Sequence, residues 1–306
     1  MVIGGGGRRA RVLACVLVCA TAFSATPLML RSQSGRAAFE EGRRQLAASE
    51  PGKAERQFEK AIAAEPNVGE YHLWLGRAIG VQTLNASIVR QPFLARRTKA
   101  AFEKAVKLDP TLIDPREHLI VYFLQAPSIM GGSVPKAQEH AREIAKLDPS
   151  RGHLAMASIA WHAKDTVATE RSFRAAIAAA PDSVVPVLQL AQRLEAWRRV
   201  DAAFAVLDAF LERHPSDIAV RVRLGRRAAS TGQQLPRGEA ALRRLAAAPD
   251  WESATGRPSR AAVRYRLGMI LEKTGRKPEA RAEYEAALTL DPTLKVAKDA
   301  LAALKD

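Results

Sequence analysis

The stretch AAVRYRLGMILEKTGRKPEARAEYEAALTLDP, Ala261 to Pro292, decides how the whole chain is read. Two helical patterns flank Gly275, a residue suited to the tight reversal between them. The first pattern sets bulky Leu267 beside Gly268, and the second brings Ala280, Tyr284 and Ala287 onto one face. Small residues at Gly268, Ala280 and Ala287 let two helices approach closely, while Leu267 and Tyr284 fill the space between successive pairs. Pro292 stops the second helix, because it has no N–H to donate.

The same register recurs upstream. Helical stretches close at Pro66, Pro110, Pro149, Pro181, Pro215, Pro249 and Pro292, at intervals of 44, 39, 32, 34, 34 and 43 residues. The intervals near 34 define the unit, and the longer ones are that unit carrying insertions. The first unit supplies Gly42, Ala54, Phe58 and Ala61; the second Trp74-Leu75-Gly76, Phe102 and Ala105. Later units keep Ala157, Phe173 and Ala176, then Ala191, Ala203 and Leu207, then Leu224-Gly225. In the sixth, Arg237 and Arg244 stand where small residues are expected, which predicts a second helix shifted by one residue. Insertions fall between Gly80 and Ala95, at Gln125 to Ser133, and in the polar stretch from Asp250 to Pro258.

On these residues the unit resembles the tetratricopeptide repeat. The resemblance implies an all-α, right-handed α-solenoid of about seven helix-turn-helix repeats. Their expected bounds are 36–66, 67–110, 111–149, 150–181, 182–215, 216–249 and 259–292, with a capping helix over 293–306. In that last segment Leu294, Ala297, Leu301 and Leu304 share one helical stripe and the charges lie elsewhere. The composition agrees with an all-helical chain: it is rich in Ala, Leu and Arg, and lacks the apolar alternation that strands require.

The N-terminus places the protein outside the cytoplasm. Arg8, Arg9 and Arg11 precede the apolar run Val12 to Phe23 and small residues ending near Ala25, the three regions of a secretory signal over residues 1–25. A linker is expected over 26–35. The alternative is an uncleaved inner-membrane anchor, because Val12 to Leu30 is 19 mostly apolar residues. Cys15 and Cys19, the only cysteines, lie in this segment, so a processed protein has no disulfide, thiolate nucleophile or cysteine-ligated zinc. The net charge of +15 calls for anionic partners. In an exported protein that means an acidic protein or peptide, and no nucleic acid is expected.

No motif for chemistry emerges. Gly131-Gly132-Ser133 ahead of Lys136 lacks the first glycine and the Lys-Ser/Thr pair of a phosphate-binding loop. It reads as a lengthened turn in which Ser133 caps the next helix and Pro135 sits in its first turn. Ile129 and Met130 would then stand exposed, a lateral contact for a partner. The six histidines show no metal-ligand spacing, and the nearest approach to a catalytic cluster is Trp161, His162 and His153. No catalytic residue, metal or cofactor is expected.

The repeat register projects Phe39, Arg43, Leu73, Arg77, Leu154, Trp161, Gln192, Arg226, Tyr265 and Met269 onto the concave wall as the partner-binding groove. Arg36, Leu46, Ser158, Leu188, Glu195, Val222 and Glu272 belong to the same projection. Arg43, Arg77 and Arg226 occupy one repeat position, and a guanidinium can grip a carboxylate through two hydrogen bonds. The competing reading has these arginines solvated or paired between repeats. The asparagines of the carboxylate-clamp subclass are missing. The function that follows is a non-enzymatic protein-interaction scaffold of the bacterial cell envelope, periplasmic after export. The alternatives are an anchored assembly factor for an envelope complex and a hydrolase with a hidden site.

Overall fold

The computed structural model describes residues 27–248 and 259–304. Among them are fifteen α-helices, one 3-10 turn and no strand. Antiparallel pairs follow one another along the chain: α1 (Pro27–Ala47) with α2 (Pro51–Ala64), α3 (Gly69–Leu84) with α4 (Gln91–Leu108), and α5 (Ile113–Gln125) with α6 (Val134–Leu147). The series continues with α7 (Pro149–His162) and α8 (Thr166–Ala179), then α9 (Val184–Ala196) and α10 (Val200–Arg213). It closes with α11 (Ile218–Thr231) and α12 (Leu235–Ala247), α13 (Arg260–Lys273) and α14 (Lys277–Leu290), and the single α15 (Lys295–Ala303). The seven pairs form a right-handed α-solenoid.

Local chemistry fixes the ends of these helices. Asp148, Asp165 and Asp217 each accept a hydrogen bond through Oδ1 from the backbone N–H three residues on, at 2.9, 2.8 and 2.8 Å, satisfying a donor the helix leaves free. Asp148 does more, since its own N–H closes α6 on Ile144 O at 2.8 Å while its carboxylate opens α7. Pro149, placed by sequence as a stop, is therefore also the first residue of the next helix.

Size complementarity holds each pair together. A Cβ at Gly42, Gly76 or Gly268 would lie 2.6, 2.5 or 2.5 Å from the ring of Phe58, Phe102 or Tyr284 respectively. Each glycine thus opens the seat for the aromatic of its partner helix. In the third unit the sizes are exchanged: Ile120 holds the register place of the glycines and Ala141 that of the aromatics, and both are buried. The sixth unit has the one-residue shift its sequence predicts. Gly238 packs on Ala228, Leu242 fills the seat at Gly225, and Arg237 turns outward to Asp208 at 3.4 Å.

Three apolar clusters run through the stack and overlap in sequence, so every pair shares core with its neighbours. Ala297 and Leu304 of the last segment are buried against the final repeat, and Leu301 packs beside them, which closes that end. Two sequence expectations change. Residues 27–35 are not a linker but the first turns of α1. The insertion between Gly80 and Ala95 is absorbed by lengthening α3 to 16 and α4 to 18 residues around a short link at 85–90. The Asp250–Pro258 insertion and the signal segment 1–25 lie outside the described residues.

Candidate functional site

First helices of successive pairs approach one another directly, as α1 with α3, α5 with α7, α9 with α11, and α11 with α13, whereas second helices do not to any comparable degree. The odd-numbered helices therefore lie on the inside of the curve, and their exposed side chains form the concave wall.

The projected residues divide along this wall. Phe39 and Leu73 are only 4% and 5% exposed and pack mainly into the core, although Phe39 keeps an edge on a hollow of about 510 Å³ that Arg36 and Arg43 also line. Phe39 is drawn in by Tyr71, whose ring centroid is 4.8 Å away, and by Phe58 and Trp74; Leu73 joins Phe102, Leu119 and Ile120. Burial also pushes the Tyr71 hydroxyl up to about 12, helped by Glu65, which accepts its hydrogen bond at 3.0 Å. Leu154, Tyr265 and Met269 are half-buried against the core, each with one edge left at the wall.

The three equivalent arginines have different fates. Arg43 and Arg77 both stack on Trp74, at 5.0 and 4.7 Å from its centroid. Arg43 also pairs with Glu40 at 3.4 Å, and Arg77 reaches into the next repeat to Asp114 at 2.5 Å. Asp114 is shared with Arg151, which forks onto Glu117 as well; these hydrogen bonds hold the Asp114 carboxyl below its ordinary range. Pairing between repeats is thus the role of Arg77. Glu195 is likewise occupied, by Arg223 at 2.7 Å and Arg227 at 3.7 Å. Arg226 alone of the three makes no ion pair among the described residues, and it borders a hollow with Leu188, Gln192 and Val222.

A larger hollow of about 640 Å³ opens beside it, between α5, α7 and α9. Trp161 and Trp197 form its aromatic side, with ring centroids 6.1 Å apart. The Arg193 guanidinium lies over Trp161 at 4.1 Å and has no acidic partner among the described residues. Lys164, His162 and Thr166 line the rim, Val121 and Leu124 supply apolar wall, and no carboxylate enters the lining. An arginine held on an aromatic face keeps its charge and its outward N–H groups, so the hollow can receive an anionic group beside an apolar one. Ser158 also lines it, but its hydroxyl donates to Leu154 O at 3.1 Å. The hollow takes in Trp161 and His162 and leaves His153 outside its lining.

Of the expected groove, the structure brings together Trp161 and Ser158 in this hollow, Leu188, Gln192, Val222 and Arg226 in the one along α9 and α11, and Arg36, Phe39 and Arg43 in a third at α1. Arg193 and Trp197 escape the sequence projection. Trp197 caps α9 just outside the helical register, in a turn closed by Arg198 at φ 60°. The repeat register gives no signal for it, since Trp161 stands 12 residues after Pro149 but Trp197 stands 16 after Pro181.

Comparison with known proteins fits this architecture. The tetratricopeptide repeat model matches residues 39–79 and 222–294, the first unit with the start of the second and the last two units. The segments so matched resemble tetratricopeptide repeats, and the solenoid continues the same helix pairing between them. The chain is similar to yeast Tom70 at 14% identity and a TM-score of 0.50, over 94% of this chain and 58% of that one. It is also similar to a thermophilic tetratricopeptide-repeat protein of Thermus thermophilus, at 19% identity and TM-score 0.46 over 62% and 96% of the two chains. PilF of Pseudomonas aeruginosa aligns at 13% identity and TM-score 0.45 over 89% and 99%. The likeness to Tom70, at 14% identity, concerns the fold alone. A search of curated protein sequences finds no match.

Proposed function

We propose that the protein is a non-enzymatic interaction scaffold of the bacterial cell envelope, which holds an acidic segment of a protein partner on its concave wall. One observation carries the reading: Arg193, with no acidic partner among the described residues, lies over Trp161 in a hollow lined by two indoles, Lys164 and no carboxylate. A carboxylate seated there meets a guanidinium that is already oriented, and its apolar neighbour meets Trp197 and Leu124. Arg226 extends the same charge along α9. The tetratricopeptide repeats supply the rigid support, because each helix pair is fixed by its neighbours.

Export supports the envelope assignment through the Arg8-to-Ala25 pattern. The apolar run Val12 to Leu30 equally supports a tethered assembly factor of the inner membrane. The mass of the mature N-terminus separates the two: a start near Ala25 gives a periplasmic protein, and an intact Met1 gives the tethered one. Capture of a partner from an envelope extract tests the binding reading. The Arg193→Glu/Arg226→Glu chain should lose the partner with its helicity unchanged, and undiminished capture would remove the concave wall from the account.

A further inference from the structure

The two inserted turns of the second and third repeats meet at one edge of the solenoid. Thr83, Ile88 and Pro92 from the first face Tyr122, Pro127 and Met130 from the second across a shallow hollow. The second turn is rigid. Gly131 adopts φ 89°, a Cβ on Gly132 would strike Ala126 O at 1.8 Å, and the Tyr122 hydroxyl donates to Met130 O at 2.7 Å. Ser133 caps α6 as its sequence predicts.

What this edge presents is unusual for a soluble surface. Leu84, Ile88, Val89, Phe93 and Ile129 are 80%, 84%, 88%, 64% and 90% exposed. These are separate side chains standing out from loop tips and a helix start, not the walls of a groove. From Gly80 to Phe102, and again from Leu119 to Gln138, the chain has no Asp or Glu. Several flanking carboxylates are engaged, with Glu55 and Glu59 on Arg97 at 2.6 and 3.3 Å, Glu103 on Lys99 at 2.8 Å and Glu117 on Arg151 at 2.7 Å, while Glu139 at the end of the second stretch is exposed. Arg90, Arg96 and Lys136 are exposed and make no ion pair among the described residues.

We infer that this edge is a peripheral docking surface for an anionic lipid bilayer, with Leu84, Ile88, Val89, Phe93 and Ile129 entering the interface and Arg90, Arg96 and Lys136 at headgroup level. Isolated apolar side chains fringed by cations match the interfacial region, where apolar tips and phosphate groups lie within one side-chain length. A protein interface would instead bring a core depleted of charge against a complementary surface. No helix among the described residues is long and apolar enough to cross a membrane, so the contact is one of surface insertion. It is independent of the concave wall and of the fate of the N-terminal segment.

The test reads depth at chosen positions in the full chain, so that insertion of residues 12–30 cannot imitate the result. Cys15 and Cys19 are changed to Ser, and a single cysteine is introduced by Ile88→Cys, Ile129→Cys or, as a control on the exposed cap, Val296→Cys. Each is labelled with an environment-sensitive fluorophore. Vesicles rich in phosphatidylglycerol should shift the emission at positions 88 and 129 to the blue and leave 296 unchanged. Phosphatidylcholine vesicles should bind far more weakly, and Arg90→Glu/Arg96→Glu should raise the lipid concentration needed by about tenfold or more. Emission at 88 and 129 that stays aqueous would overturn the inference, whether or not the chain sediments with the vesicles. Aqueous emission together with loss of a co-purifying protein in the same variants would assign the edge to a protein partner instead.

Discussion

The guanidinium of Arg193 lies 4.1 Å from the centre of the Trp161 ring, joining α9 to α7 across the repeat boundary on the concave wall. The pair combines a held cation with a large apolar face, the two elements on which the proposed binding of an acidic segment rests. It also relocates the charge expected at Arg43 and Arg77. Arg77→Glu would set its carboxylate against Asp114 and loosen the stack, so the informative substitutions are at Arg193 and Arg226.

The register of the sixth repeat can be tested by stability. A Cβ on Gly238 would lie 2.1 Å from that of Ala228, so Gly238→Leu should destabilise the protein by about 1–3 kcal/mol through overpacking. Arg237→Ala removes only a half-exposed ion pair and should cost less than about 1 kcal/mol. Urea midpoints in the reverse order would return the second helix to the unshifted register.

Four inter-helix turns share one geometry, with Ser49, Lys164, Arg198 and Gly275 at φ 62°, 59°, 60° and 79°. Only the last is glycine, and a side chain in this left-handed region costs roughly 1–2 kcal/mol. Arg198→Gly should therefore raise stability by up to about 1 kcal/mol, the gain being reduced by the greater freedom of glycine in the unfolded chain. Gly275→Ala should lower it by a similar amount. Thermal unfolding of the two variants gives the comparison, and opposite shifts from those stated would count against the turn geometry.

His140 sets a pH dependence. Its ring stacks on Phe123 at 5.6 Å, its Nδ1 is buried without a partner, and burial, aided by Arg116, lowers its pKa from 6.5. The unfolded chain then binds more protons than the folded one as pH falls through about 6.5, so this contribution to stability is present above that pH and lost below it. The carboxylates lowered by pairing, such as Asp114 and Glu239, act in the same direction but further into acid. Urea unfolding between pH 5 and 7.5, pH values spanning about one unit either side of a free histidine, should show a smaller decline in His140→Phe than in the parent. An identical decline would show that His140 titrates as it does in the unfolded chain.

Much of the fold was legible because small and large residues alternate between paired helices in a way no other arrangement needs. Gly268 with Tyr284 announces the pair, and the same signal survives the shift to Gly225 with Leu242. The concave wall was legible only in part. Helical periodicity tells which face Phe39 and Leu73 occupy, but not that their neighbours, such as Tyr71 beside Phe39, leave only 4% and 5% of them exposed. It cannot see that Arg77 finds Asp114 37 residues away. Arg193 and Trp197 were missed for a related reason: each gains its meaning from Trp161 in another repeat, a contact set by how far successive pairs rotate.

Selection of an acidic peptide by the Trp161, Trp197 and Arg193 hollow is the property proposed for the concave wall. The decisive measurement is selection of a displayed random-peptide library on the immobilised full chain, followed by titration of the enriched peptides against the parent, Arg193→Glu and Trp161→Ala. Asp or Glu beside an aliphatic or aromatic residue should be enriched, with affinity falling about tenfold or more in both variants, as expected for a desolvated charge pair and an aromatic anchor. Enriched peptides without acidic bias, or binding that both substitutions leave unchanged, would contradict it.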